Sequence, residues 1–146
     1  MYLNEKLYYI YITLKTGFID IKDYEKWLDD YYAKDSKNEV IGELEWAFSD
    51  ISKIINILDI YLYDKISDIN YNIIWEMIIS DAQKWYKDNK NLETLTKILY
   101  ELWCILPKEI SNEMPFIKLN SLDDAWVCNR EEAPDKIRAF LQEQAN

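Results

Sequence analysis

Apolar residues recur three and four positions apart along almost the whole chain, the spacing that lines one face of an α-helix. Leu3, Leu7, Ile10, Tyr11 and Leu14 share a face of a first helix, and Gly17 stands where a left-handed C-terminal residue belongs. Asp20 is placed to cap a second helix, with Asp23 in its first turn and a stripe of Ile21, Tyr24, Leu28 and Tyr31. The pair reads as a helical hairpin with a short connection. Ser36 and Glu39 have capping-box spacing. Beyond them Ile41, Leu44, Phe48, Ile51, Ile55, Leu58 and Leu62 keep the rhythm without a slip. Two helices broken near Ser49–Asp50 would also fit, but the unbroken phase favours one central helix of about 25 residues.

Asp68 to Tyr71 marks another start, followed by Ile74, Met77, Ile78, Asp81, Ala82 and Trp85. Asn89 or Asn91 can cap the next helix, which carries Leu95, Ile98, Leu99, Leu102, Trp103 and Leu106 and ends at Pro107. Phe116 to Leu119 reads as an extended piece lying across the bundle. Ser121 with Asp124 repeats the capping-box pattern for a short helix holding Leu122, Ala125 and Trp126. A last helix has Pro134 in its first turn and packs Ile137, Phe140 and Leu141. The expected fold is all-α: a single domain over residues 1–146, built as a compact bundle of roughly six to seven helices around a long central helix. Mid-stripe positions give the expected core: Phe48, Ile51, Ile55, Leu58, Ile74, Ile78, Leu99 and Leu102.

Composition narrows the chemistry. The 146 residues are 49% hydrophobic and 30% charged, enough apolar material for a core. Acids outnumber bases 27 to 17, for a formal net charge of −10. That balance disfavours nucleic acid and anionic membrane and favours a basic partner. The absence of histidine removes the cheapest general base and every histidine-based metal site. Cys104 and Cys128 lack a CxxC spacing and read as reduced thiols, Cys104 as a small buried hydrophobe. With only two glycines, no phosphate-binding loop is present. The N-terminal residues do not read as a signal peptide, and no apolar run suffices for a membrane span, so a cytoplasmic protein is expected. No catalytic residue, metal or cofactor is assigned.

What remains are acids and aromatics. One acidic group is Asp23, Glu25, Asp29 and Asp30; the other is Asp123, Asp124, Glu131, Glu132 and Asp135. Helix capping and surface solvation account for such residues, and so does a face that steers a basic partner. Asp81, on or beside an apolar face, is either a paired boundary acid or a pocket acid. The chain has 12 tyrosines and six tryptophans. Trp27, Trp46, Trp75, Trp85 and Trp103 fall in predicted helices and read as core residues. Tyr8–Tyr9 and Tyr31–Tyr32 are neighbours that cannot both face one core, so some tyrosines lie outside and can anchor an interface. The candidate partner-binding residues are Asp23, Asp29, Asp30, Tyr31 and Tyr32, the preferred face, and Asp123, Glu131 and Glu132. Arg130 and Arg138, the only arginines, read as internal clamps on the acids near them.

The segments Ile21–Leu28 (IKDYEKWL) and Leu122–Pro134 (LDDAWVCNREEAP), in a small, acidic, helical chain, resemble the toxin-neutralising immunity proteins of bacterial competition systems. Those proteins share a task and no single fold, so no residue roles carry over. The resemblance implies an intracellular protein that binds a cognate basic toxin, often a nuclease, and blocks it without catalysis. A non-catalytic helical adaptor or structural subunit, and a carboxylate-dependent enzyme with two acids across a cleft, are the alternatives.

Overall fold

In the computed structural model, which describes residues 2–89 and 91–144, every regular element is helical. The chain divides into two compact units, Met1–Asn70 and Tyr71–Asn146. The first holds α1 (Leu3–Thr16), α2 (Ile21–Lys34), α3 (Glu39–Trp46), α4 (Ile51–Leu62) and a 3-10 turn, Ile66–Asp68. Gly17 takes φ 74° at the end of α1, and its N–H donates to the Thr13 carbonyl. Phe18 N–H reaches the same oxygen at 3.0 Å and its ring is buried. Asp20 caps α2, accepting from Lys22 N–H at 3.0 Å. The cap of α3 is Asn38, accepting from Ile41 N–H at 3.2 Å, and not Ser36. The helix starts two residues later than the expected box, with the asparagine side chain taking a first-turn amide in the way the serine was expected to.

The most enclosed helix of this unit is α1, and not the stretch from Ile41 to Leu62. It buries Leu7, Tyr8, Tyr9, Ile10, Ile12, Thr13 and Leu14. Tyr8 and Tyr9 are each only 2% exposed, so both tyrosines of that neighbouring pair are core residues. A helix covered on several sides buries positions that point about 100° apart. Thr13 answers its own burial by donating to the Tyr9 carbonyl at 2.6 Å. Against α4, the rim of α1 makes polar ties: Tyr11 Oη donates to Asp59 at 2.8 Å and Tyr61 Oη to Asn4 at 2.7 Å.

The long central helix is in fact two helices. After Trp46 and Ala47 the chain turns at Phe48, which sits at φ 53°, and Asp50 caps α4 by accepting from Lys53 N–H at 3.2 Å. The turn resets the phase. Ile54, Leu58 and Leu62 form the buried row of α4, while Ile51 is 41% exposed, Ile55 half-buried and Phe48 72% exposed. Phe48, Ile51 and Ile55 therefore leave the expected core, whereas Leu58, Ile74, Ile78, Leu99 and Leu102 are in it. A left-handed conformation suits glycine at a helix C-terminus and strains a residue that carries a Cβ. Phe48→Gly is expected to raise stability by about 0.5–1 kcal/mol, net of the freedom glycine gives the unfolded chain. Urea denaturation with an unchanged slope and a higher midpoint would register it.

The second unit contains α5 (Tyr71–Asn89), α6 (Leu92–Ile105), α7 (Lys108–Ser111), a 3-10 segment (Phe116–Ser121), α8 (Asp124–Cys128) and α9 (Ala133–Gln144). Asn91 caps α6, accepting from Thr94 N–H at 3.1 Å, while the side chain of Asn89, the other candidate, lies outside the described residues. Leu106 is extended before Pro107, which ends the helix as the proline requires. The expected extended piece is instead the 3-10 segment. In that conformation every third side chain aligns, so Phe116, Leu119 and Leu122 are buried together, with the segment packed on α6. Asp123 precedes α8 with no side-chain cap, so the second capping box does not form either. Trp75 meets Phe116 edge-on at 5.3 Å and Phe140 at 6.3 Å, joining α5, the 3-10 segment and α9. Ile137, Phe140 and Leu141 are the buried face of α9. Cys104 is exposed, contrary to expectation, and it stands one turn after Tyr100, raising the pKa of that phenol.

Candidate partner-binding surface

Helix α2 packs on α3; the buried residues of α2 are Tyr24 and Leu28, and those of α3 and its end are Val40, Ile41, Leu44 and Ala47. That packing fixes what stands at the seam. Glu25 and Asp29 are one turn apart on α2, and Glu45 projects from α3 toward Asp29. Ser49, in the turn beyond α3, donates its hydroxyl to Glu25 Oε1. Glu45 is half-buried, and its Oε1 is shielded from solvent without a hydrogen-bond partner. The Tyr24 hydroxyl beside it is also buried and unpartnered.

Burial, then the Asp29 carboxyl at hydrogen-bonding range, lifts the pKa of Glu45 above the ordinary carboxylate value. Burial likewise pushes the Tyr24 phenol far up, helped by the charges of Glu45 and Glu25. A carboxyl whose folded pKa exceeds its unfolded one holds its proton more tightly in the folded state. Stability therefore falls as pH rises from the ordinary glutamate range through the raised value. Glu45→Gln is expected to be more stable than the parent at neutral pH, with the gap closing once both are neutral in acid. Thermal melts of the two proteins across that range check the sign.

The preferred acidic face divides. Successive helical residues diverge by about 100°, so Asp29 joins Glu25 and Glu45 while Asp30 lies with Asp23 on the other flank. Tyr31 is half-buried and packs on the Trp27 ring, centroids 5.6 Å apart. Tyr32, 39% exposed, is on the same side of α2 as Asp29. Trp46, read above as core, is 75% exposed at the end of α3, and Phe48 is 72% exposed in the turn beyond it. The sequence contained the signal for them. Leu44 and Ala47 continue the buried stripe at a spacing of three, which leaves Trp46 and Phe48 on its flanks.

The second acidic group is differently placed. Asp123 is half-buried, and Asp124, Glu131 and Glu132 are exposed around α8 and the turn before α9. A shallow cleft of about 380 Å³ is lined by Ser121, Leu122, Asp124, Ala125, Cys128, Lys136 and Ile137. Bases already serve this region. Arg130 pairs with Glu93 of α6 at 2.8 Å, and not with its neighbours Glu131 and Glu132. Arg138 pairs with Asp135 at 3.0 Å and donates to Tyr86 Oη at 3.0 Å. Asp81 is half-buried on α5. Among the described residues, Glu25, Asp29 and Glu45 are in no ion pair, and no three acids or cysteines converge as a metal ion would need.

Comparison of the chain with protein families, curated proteins and solved structures gives no match. Among the described residues no helix is long and apolar enough to cross a membrane.

Proposed function

We propose that the protein acts by binding, without catalysis, and that it captures a basic protein through the α2–α3 edge of its first unit. One observation carries the reading: among the described residues Glu25, Asp29 and Glu45 at the α2–α3 edge are in no ion pair, and the end of α3 and the turn after it expose Trp46 and Phe48. Unpaired carboxylates steer a positively charged partner, and large exposed aromatics supply packed area once it arrives. The strained turn at Phe48 fits this division of labour, since it costs stability and presents a ring to solvent. By its resemblance to immunity proteins, the partner is proposed to be a toxin of bacterial competition, neutralised in the cytoplasm by occlusion of its active surface. The exposed acids Asp23, Asp30, Glu131 and Glu132 add to the overall negative field without forming the contact.

The test is capture from a lysate of the native host at low salt, run in parallel with the parent chain and the Asp29→Lys/Trp46→Ala variant. A basic protein retained by the parent and lost by the variant is the expected result. Equal retention by both, or an acidic protein on the parent, overturns the proposal.

A further inference from the structure

We propose that the cluster of Tyr24, Glu25, Asp29 and Glu45 receives a single arginine side chain of the partner and holds it by the guanidinium group. This deepens the binding reading above and rests on it. Two polar groups at the seam of α2 and α3 are buried without partners, the Tyr24 hydroxyl and Glu45 Oε1, and Tyr24 as a residue is only 1% exposed. Burying a polar group without a partner is costly, so the free protein leaves two such deficits at one seam. Both atoms can accept a hydrogen bond, and the carboxylates around them are acceptors alone once ionised. What would satisfy the set is a ligand with several donors and a positive charge.

Three candidates have that chemistry. For a metal ion, no three acids or cysteines converge among the described residues to build a cage of protein ligands. An ammonium group carries a compact, strongly hydrated charge that resists leaving water for a half-buried seam. A guanidinium is planar, more weakly hydrated and offers five N–H donors in a fixed fork. One edge of it meets Glu45 and Asp29 in a charge-assisted pair, and a further N–H is left for Tyr24 Oη. Glu25 already accepts a hydrogen bond from Ser49, which occupies part of its acceptor capacity. Glu45, half-buried on a flexible stem, is the side chain that swings to admit the group.

The experiment titrates Nα-acetyl-arginine amide into the full chain and follows backbone amide resonances, with Nα-acetyl-lysine amide and glycinamide in parallel. Saturable shifts centred on Tyr24, Asp29 and Glu45 are expected for the arginine compound, with weaker binding of the lysine compound. Glu45→Gln and Asp29→Asn should each weaken that binding by about tenfold, the worth of one charge-assisted hydrogen bond. Tyr24→Phe removes an unpaired hydroxyl, so it should melt no lower than the parent while binding the arginine compound less well. Equal shifts from the arginine and lysine compounds, no saturation, or unchanged affinity in Glu45→Gln overturns the inference. The capture experiment separates the two levels of the reading. If the arginine compound does not bind while Asp29→Lys/Trp46→Ala still loses the basic partner, the arginine site falls and the binding face stands. If the compound binds while capture ignores that variant, both fall, because the arginine is then not a partner's.

Discussion

Ile54→Ala is expected to cost about 2–5 kcal/mol, whereas Ile51→Ala, three residues earlier in the same helix, costs under about 1 kcal/mol. The difference follows from where the turn at Phe48 sets the phase of α4. Ile54 is fully buried in the row completed by Leu58 and Leu62, while Ile51 is 41% exposed at the first position of the helix. Truncating Ile54 leaves a cavity that packed neighbours refill only in part, and the cavity adds to the lost transfer energy. An unbroken helix from Glu39 to Leu62 would put Ile51 inside, so that its truncation would cost as much as a core residue's. Urea denaturation of the two variants, compared at constant slope, decides between the two arrangements.

The second large effect concerns binding, and it splits between the two rate constants. Asp29→Lys is expected to slow association of the basic partner about tenfold or more at low salt, with a loss that shrinks as salt is added. Asp30→Lys, on the other flank of α2, changes the net charge equally and should cost much less if the face is local. Trp46→Ala should leave association nearly intact and speed dissociation roughly thirtyfold, because it removes packed area; that loss persists at high salt. Stopped-flow association and dissociation at two ionic strengths separate all three variants. Equal effects of Asp29→Lys and Asp30→Lys would reduce the acidic contribution to a general field.

Much of the helical content was legible because its signals are local. Gly17 and Asp20 mark an end and a start through their own backbone and side-chain chemistry, and the structure uses both as expected. Asn91 and the mid-stripe residues Ile74, Ile78, Leu99 and Leu102 were equally readable. The break at Phe48 was not, because the apolar spacing runs through it and nothing in phenylalanine announces φ 53°. Only Ser49–Asp50, a good capping pair, hinted at it. Tyr8 and Tyr9 misled for another reason. A two-sided pattern assumes one buried face, and α1 is covered on several sides. The 3-10 segment from Phe116 to Ser121 escaped because its spacing of three cannot be told from a short helical or irregular piece without the packing against α6.

The candidate surface was legible in halves. Asp29 and Tyr32 came from composition along α2, and the divergence of Asp29 from Asp30 follows from helical geometry alone. Glu45 could not be added from the sequence, since its closeness to Asp29 depends on how α2 lies on α3. Trp46 and Phe48 were assigned to the core because aromatic residues in helices usually go there. Arg130 was correctly read as a clamp but on the wrong acid, because Glu93 is distant in sequence and near in space.

The most direct test of the central claim is a hydrogen-exchange footprint of the complex with the captured basic protein. The account predicts that partner binding slows amide exchange in residues 24–32 and 43–50, with little change in residues 121–135. Protection confined to residues 121–135, or spread over the second unit with none at the α2–α3 edge, would contradict it.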